Sequence, residues 1–251
     1  MIHETLTKQE KTSKFWINKN VLITGGSTGL GKALAVYLSS LDANVVVFAR
    51  KKEQLELLQA ENNKIITFEA DISNKSDIYK IAGQTIGELG QTIDVVINNA
   101  STLGINPLKS LLDTPCENFS ETLETNLLGP FRLIKALLPG MLLNHKGLIV
   151  NITSDASISA YPDWGIYSIS KAALDHMTAI WSKELPEITF VSIDPGDMYT
   201  NMQLEANPEA DEHSLYNPSD VANELSKFLA ILEKLNSKTR FNAQEWRSYI
   251  S

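Results

Sequence analysis

The stretch Val21-Leu22-Ile23-Thr24-Gly25-Gly26-Ser27-Thr28-Gly29-Leu30-Gly31-Lys32-Ala33-Leu34-Ala35 decides the fold of this 251-residue chain. It begins with an apolar run typical of a strand, continues through glycines at 25, 29 and 31, and ends in residues typical of a helix. Glycine permits positive φ and close approach of a ligand, and the first N–H groups of a helix bind anions. The pattern therefore predicts a strand, a phosphate-binding turn and a helix. A purely structural turn is the alternative, because the spacing G-x-x-x-G-x-G differs from the G-x-G-x-x-G dinucleotide fingerprint.

Apolar runs and helical patterns alternate along the rest of the chain. The runs are continuous rather than alternating in polarity, as in parallel strands that are covered on both faces. This order predicts an α/β fold of one domain, a doubly wound parallel, Rossmann-like sheet in three α/β/α layers. The predicted strands are Val21–Ile23, Val45–Phe48, Ile65–Phe68, Val95–Ile97, Leu148–Ile152 and Phe190–Ile193, and the predicted helices lie near 30–40, 52–61, 75–88, 117–143 and 166–185.

The two ends of the chain depart from this repeat. We expect residues 1–17 to be an appendage that packs through Phe15, Trp16 and Ile17, and residues 18–251 to form the domain. The polar segment 198–217 has no clear period and predicts a substrate loop at the carboxyl edge of the sheet. A helix is predicted after it, with Ser219 as N-cap and an end near Leu235, followed by a short strand near Thr239–Phe241.

Composition narrows the possible partners. The net charge of −8 disfavours nucleic acid and anionic membrane surfaces, which attract basic proteins. The polar start lacks the apolar core of a secretory signal, and no unbroken apolar run reaches the roughly 18 residues of a membrane span. The single cysteine, Cys116, excludes an internal disulfide, and no Cys/His cluster has zinc spacing. We expect a cytoplasmic protein with no metal.

The end of the second predicted strand indicates which dinucleotide is bound. In dinucleotide folds an acid at this point binds the ribose hydroxyls of NAD, whereas an arginine accommodates the 2′-phosphate of NADP. Here Arg50 and Lys51 follow Phe48-Ala49, and no acid precedes them. We therefore predict NADP(H) over NAD(H). The alternative is that both cations belong to a solvated helix start.

Tyr167 and Lys171 are four residues apart, which places them on one face of a helix. A free tyrosine has a pKa of about 10, too high for proton transfer at neutral pH, and a nearby ammonium lowers the pKa of the phenol. The pair is therefore a candidate acid/base, although the pattern Y-x-x-x-K is common by chance.

Seven short motifs in register give the chain a clear resemblance to the short-chain dehydrogenase/reductase family over roughly residues 20–235. They are Thr24–Gly31, Asp71-Ile72, Asn98-Asn99-Ala100, Asn126 in Thr125–Gly129, Ile149–Ser154, Tyr167 with Lys171, and Pro195-Gly196 through Thr200.

The resemblance implies a role for each matching residue. Ser154 would donate a hydrogen bond to the substrate oxygen, Tyr167 would exchange a proton with it, and Lys171 would hold the ribose and lower the tyrosine pKa. Asn126 would fix a water that links Lys171 to solvent. The implied cofactor contacts are Gly25, Gly26, Ser27, Thr28, Gly29, Leu30, Arg50, Lys51, Asp71, Ile72, Asn99, Ala100, Tyr167, Lys171, Pro195, Gly196, Met198 and Thr200. Asp71 would bind the adenine amine, Asn99 and Ala100 would offer backbone groups to the nicotinamide side, and Met198 and Thr200 would hold its carboxamide.

Two positions depart from the family pattern. Ser101 stands where the family has glycine after Asn-Asn-Ala, and the C-terminal segment Arg240–Arg247 replaces a glycine-rich ending. Trp246 packs this segment either onto the body or onto a neighbouring subunit.

The expected activity is hydride transfer between NADP(H) and a carbonyl or secondary alcohol. The expected pocket walls are mostly apolar, which favours a largely apolar substrate. They are Leu103, Ile105, Ile158, Tyr161, Trp164, Tyr199, Met202 and Leu204. An NAD-dependent dehydrogenase of the same fold and a non-catalytic NADPH-binding regulator are the alternatives. By analogy with the family, helices 117–143 and 166–185 predict a homodimer or homotetramer.

Overall fold

A computed structural model describes residues 8–90, 93–232 and 238–250 of the chain. Its sheet has seven strands: β1 Asn20–Thr24, β2 Asn44–Ala49, β3 Ile66–Glu69, β4 Val95–Asn98, β5 Leu148–Ile152, β6 Thr189–Ile193 and β7 Arg240–Phe241. They lie in the order β3-β2-β1-β4-β5-β6-β7, and every pair is parallel. The order reverses between β1 and β4, the point at which doubly wound sheets bind ligands. The predicted fold class is confirmed.

The helices cover both faces of this sheet. They are α1 Lys8–Trp16, α2 Gly29–Ser40, α3 Lys52–Glu61, α4 Lys75–Leu89, α5 Cys116–Leu123, α6 Gly129–Leu143, α7 Gly165–Glu184, α8 Asn201–Ala206, α9 Pro218–Leu229 and α10 Ala243–Ser248. Helices α2, α3 and α9 pack on one face of the sheet, and α4, α6 and α7 pack on the other.

In the five central strands β1, β2, β4, β5 and β6, successive residues belong to two separate cores. In β1, Val21 and Ile23 join the core under α2 and α9, whereas Leu22 joins the core under α4 and α6. A strand that is buried on both sides has no polar face, which is why its sequence is continuously apolar.

The segment predicted as one helix over 117–143 is interrupted. Between α5 and α6 the residues Glu124–Leu128 form one π-helical turn. The stretch Cys116–Leu143 also has the length and apolar content of a membrane span, yet 44% of its most apolar window is buried inside the fold. Its buried residues, such as Leu133 and Met141, belong to the core under the sheet, which accounts for its apolar content.

The final third of the chain differs from the sequence-based expectations in three places. Segment 198–217 contains α8, a 3₁₀ turn at Glu212–Ser214 and a bridge between Met198 and Tyr216. The N-cap of α9 is Asn217, whose side chain accepts from the Ser219 N–H, because Pro218 occupies the first helical position and shifts the start by two residues. Helix α9 ends at Leu229, and residues 233–237, which include the expected end, lie outside the described part of the chain.

The two terminal segments pack onto the body through tryptophans. Trp16 is fully buried and its Nε1 donates to the Ser226 carbonyl on α9, while Ile17, expected to pack with it, is 47% exposed. Trp246 is also fully buried, and its Nε1 donates to the Asp194 carbonyl at 2.9 Å. The C-terminal tryptophan therefore packs onto its own subunit.

Candidate active site

One cleft of about 1630 Å³ opens at the carboxyl ends of β1, β2, β4, β5 and β6. It runs from the segment after β2, with Arg50 and Lys51, past the glycine turn to Ser154 and Tyr167. The cleft therefore brings together the phosphate-turn, ribose-end and acid/base candidates that lie far apart in the sequence.

The glycine positions of the turn leave no room for a Cβ atom. Gly25 has φ +65°, and a Cβ there would lie 2.7 Å from the Ala100 Cα. A Cβ on Gly31 would collide with the Gly25 carbonyl oxygen, and one on Gly26 would lie 2.7 Å from Val47 Cγ1. The Thr28 side chain does not cap α2, so the first N–H groups of the helix face the cleft without that partner. This bare cradle at a helix start fits a diphosphate.

Thr24 locks the glycine turn to the segment after β4. Its hydroxyl accepts the N–H groups of Asn99 and Ala100, both at 3.1 Å, and the Asn99 amide donates to the carbonyls of Thr24 and Gly25. The backbone N–H groups of Asn99 and Ala100 are thus committed to Thr24, so only their carbonyl groups remain for the nicotinamide side.

The candidate adenosine end is formed by the segments after β2 and β3. Arg50 and Lys51 are exposed and line the cleft, and Ser27 Oγ donates to Gln54 Oε1 on α3. Ile72 is buried beside them. Asp71 Oδ1 accepts from the N–H and Oγ of Ser73, so the carboxylate is oriented by its own turn.

Tyr167 and Lys171 lie one turn apart on α7 and are both buried, at 7% and 2% exposure. The Lys171 ammonium donates to the Ile152 carbonyl at 2.8 Å and stands 5.6 Å from the centre of the Tyr167 ring. Their expected proximity on one helix face is found.

Burial dominates the electrostatics of this pair. It raises the pKa of Tyr167, Asp194 and Asp155 raise it further, and a hydrogen bond with Ser154 opposes the change. Burial lowers the pKa of Lys171 to about 8, against a smaller opposing effect of Asp175. The net shift of the Tyr167 pKa is upward, opposite to the lowering expected from Lys171, because desolvation of the phenolate is its largest cause.

Ser154 follows β5 and is half-buried in the cleft. Its hydroxyl donates to Asp155 Oδ1 at 3.0 Å and accepts from the Ala156 N–H at 3.2 Å. The Tyr161 hydroxyl donates to the other oxygen of Asp155 at 2.7 Å. The carboxylate of the next residue, Asp155, thus accepts the hydrogen bond that Ser154 would donate to a substrate oxygen.

Asn126 lies in the π-helical turn and is almost fully buried. Its Oδ1 accepts from Ser101 Oγ and the Thr102 N–H, and its Nδ2 donates to the Thr102 carbonyl and to Ser170 Oγ. Since the amide can make about four hydrogen bonds, this side chain has no capacity left for a water. Ser101, the departure from the family pattern, supplies one of the four.

The segment after β6 closes the other side of the cleft. Gly196 has φ +80° and its N–H donates to Asp194 Oδ1, while the Pro195 carbonyl accepts from Arg247. Met198 bridges Tyr216, and Thr200 caps α8. A Cβ on Gly29 would lie 3.3 Å from Thr200 Cγ2, so this segment reaches over the glycine turn.

The substrate end of the cleft is lined by apolar or aromatic side chains and by three carboxyl groups. Of the expected walls, Leu103, Tyr161, Trp164, Tyr199 and Met202 line the cleft, whereas Ile105, Ile158 and Leu204 do not. Asp155, Asp194 and Asp197 also line the cleft. Burial is the main cause that raises the pKa of Asp194 and of Asp197.

Sequence reasoning missed Asp155 and Arg240 as parts of the site, and it named Thr24 and Ser101 without their partners. Asp155 had a local signal, since it adjoins Ser154. The hydrogen bonds of Thr24, Ser101 and Arg240 had none, because their partners lie 75, 25 and 86 residues away.

Comparison with known proteins agrees with this geometry. The model of the short chain dehydrogenase family matches residues 19–211. The chain is 32% identical over 208 residues to the NADPH-dependent pterin aldehyde reductase of Arabidopsis thaliana, which covers 80% of this chain and 83% of that protein. It is 30% identical over 236 residues to an uncharacterised oxidoreductase of Staphylococcus aureus, at 91% and 95% coverage.

Solved structures share the fold. A putative short chain dehydrogenase from Pseudomonas syringae superposes with a TM-score of 0.82 at 23% identity, covering 92% of this chain and 97% of that one. One from Shigella flexneri, complexed with NADP, gives a TM-score of 0.81 at 24% identity, with 91% and 98% coverage. From the family match and the curated relatives, the chain belongs to the short-chain dehydrogenase/reductase family and is an NAD(P)-dependent oxidoreductase.

Proposed function

We propose that this enzyme is an NADPH-dependent reductase of carbonyl compounds with a largely apolar body. One observation carries the proposal: Ser154, Tyr167 and Lys171 meet in the same cleft as the bare glycine turn, at the end of the sheet where Arg50 also lies. The relative from Arabidopsis, which is named an NADPH-dependent aldehyde reductase, supports the same cofactor and direction.

The residues present fit a dinucleotide. The turn Gly25–Leu30 would hold the diphosphate, Arg50 and Lys51 the 2′-phosphate, and Asp71 with Ile72 the adenine. Arginine presents a planar fork that matches phosphate oxygens and remains charged, which favours NADP. When bound, NADPH supplies the hydride that is added to the carbonyl carbon.

Ser154 and Tyr167 act on the substrate oxygen. The Ser154 hydroxyl turns from Asp155 to donate to that oxygen, and this hydrogen bond strengthens as negative charge develops there. Tyr167 gives the oxygen its proton. Because burial raises the pKa of Tyr167, the phenol is a weaker acid than a free tyrosine, and it gives up its proton as negative charge develops on the substrate oxygen during hydride addition.

Lys171 and Asn126 hold the site in shape. The Lys171 ammonium, fixed by the Ile152 carbonyl, retains enough charge near pH 7 to bind ribose hydroxyls, since its pKa is about 8. The saturated amide of Asn126 ties the Thr102 segment to Ser170 on α7. We assign the Asn126 side chain a positioning role, because its four hydrogen-bonding positions are taken; the predicted water that links Lys171 to solvent stays a prediction.

The cleft walls indicate the substrate class. Leu103, Trp164 and Met202 favour an apolar or aromatic body, and the carboxyl groups of Asp155 and Asp197 in the same cleft disfavour an anion. Neutral aldehydes attached to ring systems are therefore the first substrates to try, in line with the name of the Arabidopsis relative.

The Tyr167→Phe variant tests the proposed acid. We expect NADPH binding, measured by fluorescence, to be retained, and carbonyl-dependent NADPH oxidation to fall by about 10²-fold or more because the proton donor is lost. Tyr79→Phe, which changes an exposed tyrosine on α4, is the control and should leave both unchanged. Wild-type turnover in the Tyr167 variant would remove that residue from the role. A non-catalytic regulator would bind NADPH and reduce none of a broad panel of carbonyl compounds.

The Arg50→Asp variant tests the cofactor preference. The substitution replaces the guanidinium that would bind the 2′-phosphate by a carboxylate that repels it. We therefore expect the ratio of kcat/KM for NADPH to that for NADH to fall at least about tenfold. Lys52→Asp makes the same charge change two residues away, on a side chain that does not line the cleft, and serves as the control. Unchanged selectivity in the Arg50 variant favours the alternative of an NAD-linked dehydrogenase.

We further propose that the enzyme assembles as a homodimer or homotetramer through the faces of α5–α6 and α7. Helix α7 exposes Ile169 and Ile180, and α6 exposes Leu143 at its end. Both helices lie on the same side of the sheet, so one two-fold axis can pair this surface with a second copy of itself.

A further inference from the structure

Arg240, on the edge strand β7, makes contacts that reach the turn carrying Ser154. Its Nη2 donates to the Ser154 carbonyl at 3.0 Å and to Ser157 Oγ at 3.2 Å. Its Nε donates to Asp175 Oδ2 on α7 at 2.8 Å. One guanidinium therefore joins β7, the turn after β5, and the helix that carries Tyr167 and Lys171.

The contacts form a closed network rather than a simple ion pair. Ser157 Oγ donates to the same Asp175 Oδ2 at 2.6 Å, so Arg240, Ser157 and Asp175 hold one another. Asp175 lies one helical turn after Lys171. The side chains of Arg240 and Asp175 are 21% and 12% exposed, which strengthens these charge-assisted bonds relative to a solvated surface pair.

The carbonyl that Arg240 binds is the one that sets the Ser154 turn. The Ser154 carbonyl also accepts from the Ser157 N–H at 3.1 Å, which closes the turn directly behind the Ser154 side chain. Strand β7 has only two residues and pairs with β6 alone, through Ser192 and Ile193. The position of Arg240 in turn depends on this short edge strand.

We propose that Arg240 is a positioning residue: it fixes the Ser154 backbone so that the hydroxyl points at the substrate oxygen. This inference rests on the proposed carbonyl reduction, in which Ser154 donates to that oxygen. A loose turn would spread the hydroxyl over several directions, and misplacement of a donor by about 1 Å can cost about 10²-fold in rate. Arg240 thereby couples the C-terminal segment to the chemistry without touching substrate.

Three variants separate positioning from simple cohesion. Arg240→Met removes all three hydrogen bonds, and Arg240→Lys keeps the charge opposite Asp175 but loses the fork that serves two partners. Ser157→Ala is the milder variant, which removes one arm of the network and leaves Arg240 intact. Lys238→Met, which breaks an exposed ion pair with Glu245 on the same segment, is the control.

The measurements are kcat and KM for an aldehyde, NADPH affinity by fluorescence, and amide hydrogen exchange of segment 154–159. For Arg240→Met we expect kcat to fall about tenfold to 10²-fold with NADPH affinity within about twofold, because the turn positions a donor and does not bind cofactor. The Ser157 and Ile158 amides should exchange faster, while those of β1 and β4 keep their protection. Arg240→Lys should recover part of kcat, Ser157→Ala should show a smaller loss, and Lys238→Met should match wild type.

Three results overturn the inference. One is a kcat within about twofold of wild type together with unchanged exchange at Ser157. The second is a uniform rise of exchange across the sheet, with NADPH affinity lost in step, in both Arg240→Met and the milder Ser157→Ala, which is the mark of a merely structural role. The third applies if the wild type reduces no carbonyl compound. In that case, unchanged hydrogen exchange at Ser157 in Arg240→Met shows that Arg240 does not hold the turn. Failure of the proposed function, in contrast, appears as an inactive wild type whatever Arg240 does to the turn.

Discussion

At the scale of single residues, the sequence identifies the reacting side chains but not their charge states. Tyr167 and Lys171 are recognisable from their spacing, because a separation of four places two side chains together on any helix. The direction in which each pKa moves depends on how deeply the fold buries the group, which no local pattern reveals. Desolvation by the surrounding cleft raises the pKa of Tyr167 and lowers that of Lys171 to about 8.

The buried lysine predicts a pH-dependent stability. The pKa of Lys171 falls from 10.5 unfolded to about 8 folded, so between these values the unfolded chain binds more protons and stability rises with pH. Burying the charged amine costs about 3 kcal/mol below pH 8, and Lys171→Met removes that cost. We expect the free energy of unfolding of wild type, relative to the variant, to increase by about 2 kcal/mol from about pH 8 to about pH 10.

Urea unfolding of the cofactor-free proteins measures this difference. Comparing wild type with the variant cancels the tyrosines and other groups that titrate over the same range. The Lys80→Met variant, which changes an exposed lysine on α4, should keep the wild-type pH dependence. A difference between wild type and Lys171→Met that stays flat over this range would contradict the lowered pKa.

At the scale of elements, the glycine turn was predictable and the π-helical turn was not. The turn at Gly25 was predictable because its φ of +65° and its contact with Ala100 admit only glycine, so the residue type itself indicates the turn. The apolar stripe Leu123, Leu127 and Phe131 has a spacing of four, which suits an α-helix and a π-turn equally. The extra residue at Glu124–Leu128 is set by tertiary contacts of Asn126, so the sequence pattern could not show it.

The Gly25→Ala variant tests the bare cradle. The added Cβ meets backbone atoms of Ala100 at a positive φ, so we expect a loss of more than about 2 kcal/mol in the free energy of unfolding. NADPH affinity of the fraction that folds should also fall. Gly83→Ala in α4, where a Cβ meets nothing within 4 Å, should be neutral or stabilise by up to about 1 kcal/mol. Equal stability of the two variants, measured by urea unfolding, would refute the steric argument.

At the scale of the whole molecule, the parallel sheet and its three layers followed from the alternation of elements, but the packing of the two ends did not. The sequence did not decide whether Trp246 packs onto its own subunit or onto a neighbouring one, because an indole can be buried in either place. The structure places it in the core with Phe228 and Phe241, in contact with the Asp194 carbonyl. Contacts over 52 residues arise only when β6 and β7 pair, which local periodicity does not encode.

The proposed assembly predicts which surface change yields monomers. Ile169→Asp combined with Ile180→Asp places charges on the exposed apolar face of α7, and buried unpaired charges oppose association. We expect analytical ultracentrifugation to show the wild type as a dimer or tetramer and the double variant as a monomer. Tyr79→Asp, on the exposed face of α4, should leave the mass unchanged. A monomeric wild type would reject the assembly.

The segment between Met198 and Tyr216 is tied at its base. The Tyr199 N–H donates to the Tyr216 carbonyl, and the Tyr216 N–H donates to the Asp197 carbonyl, both at 2.9 Å. Chain that leaves and re-enters a scaffold at adjacent points can be exchanged as a cassette, since insertions inside it leave the rest of the backbone in place. If this segment forms the substrate loop that we predict, exchanging it would change the choice of substrate and leave the residues of β5 and α7 in place.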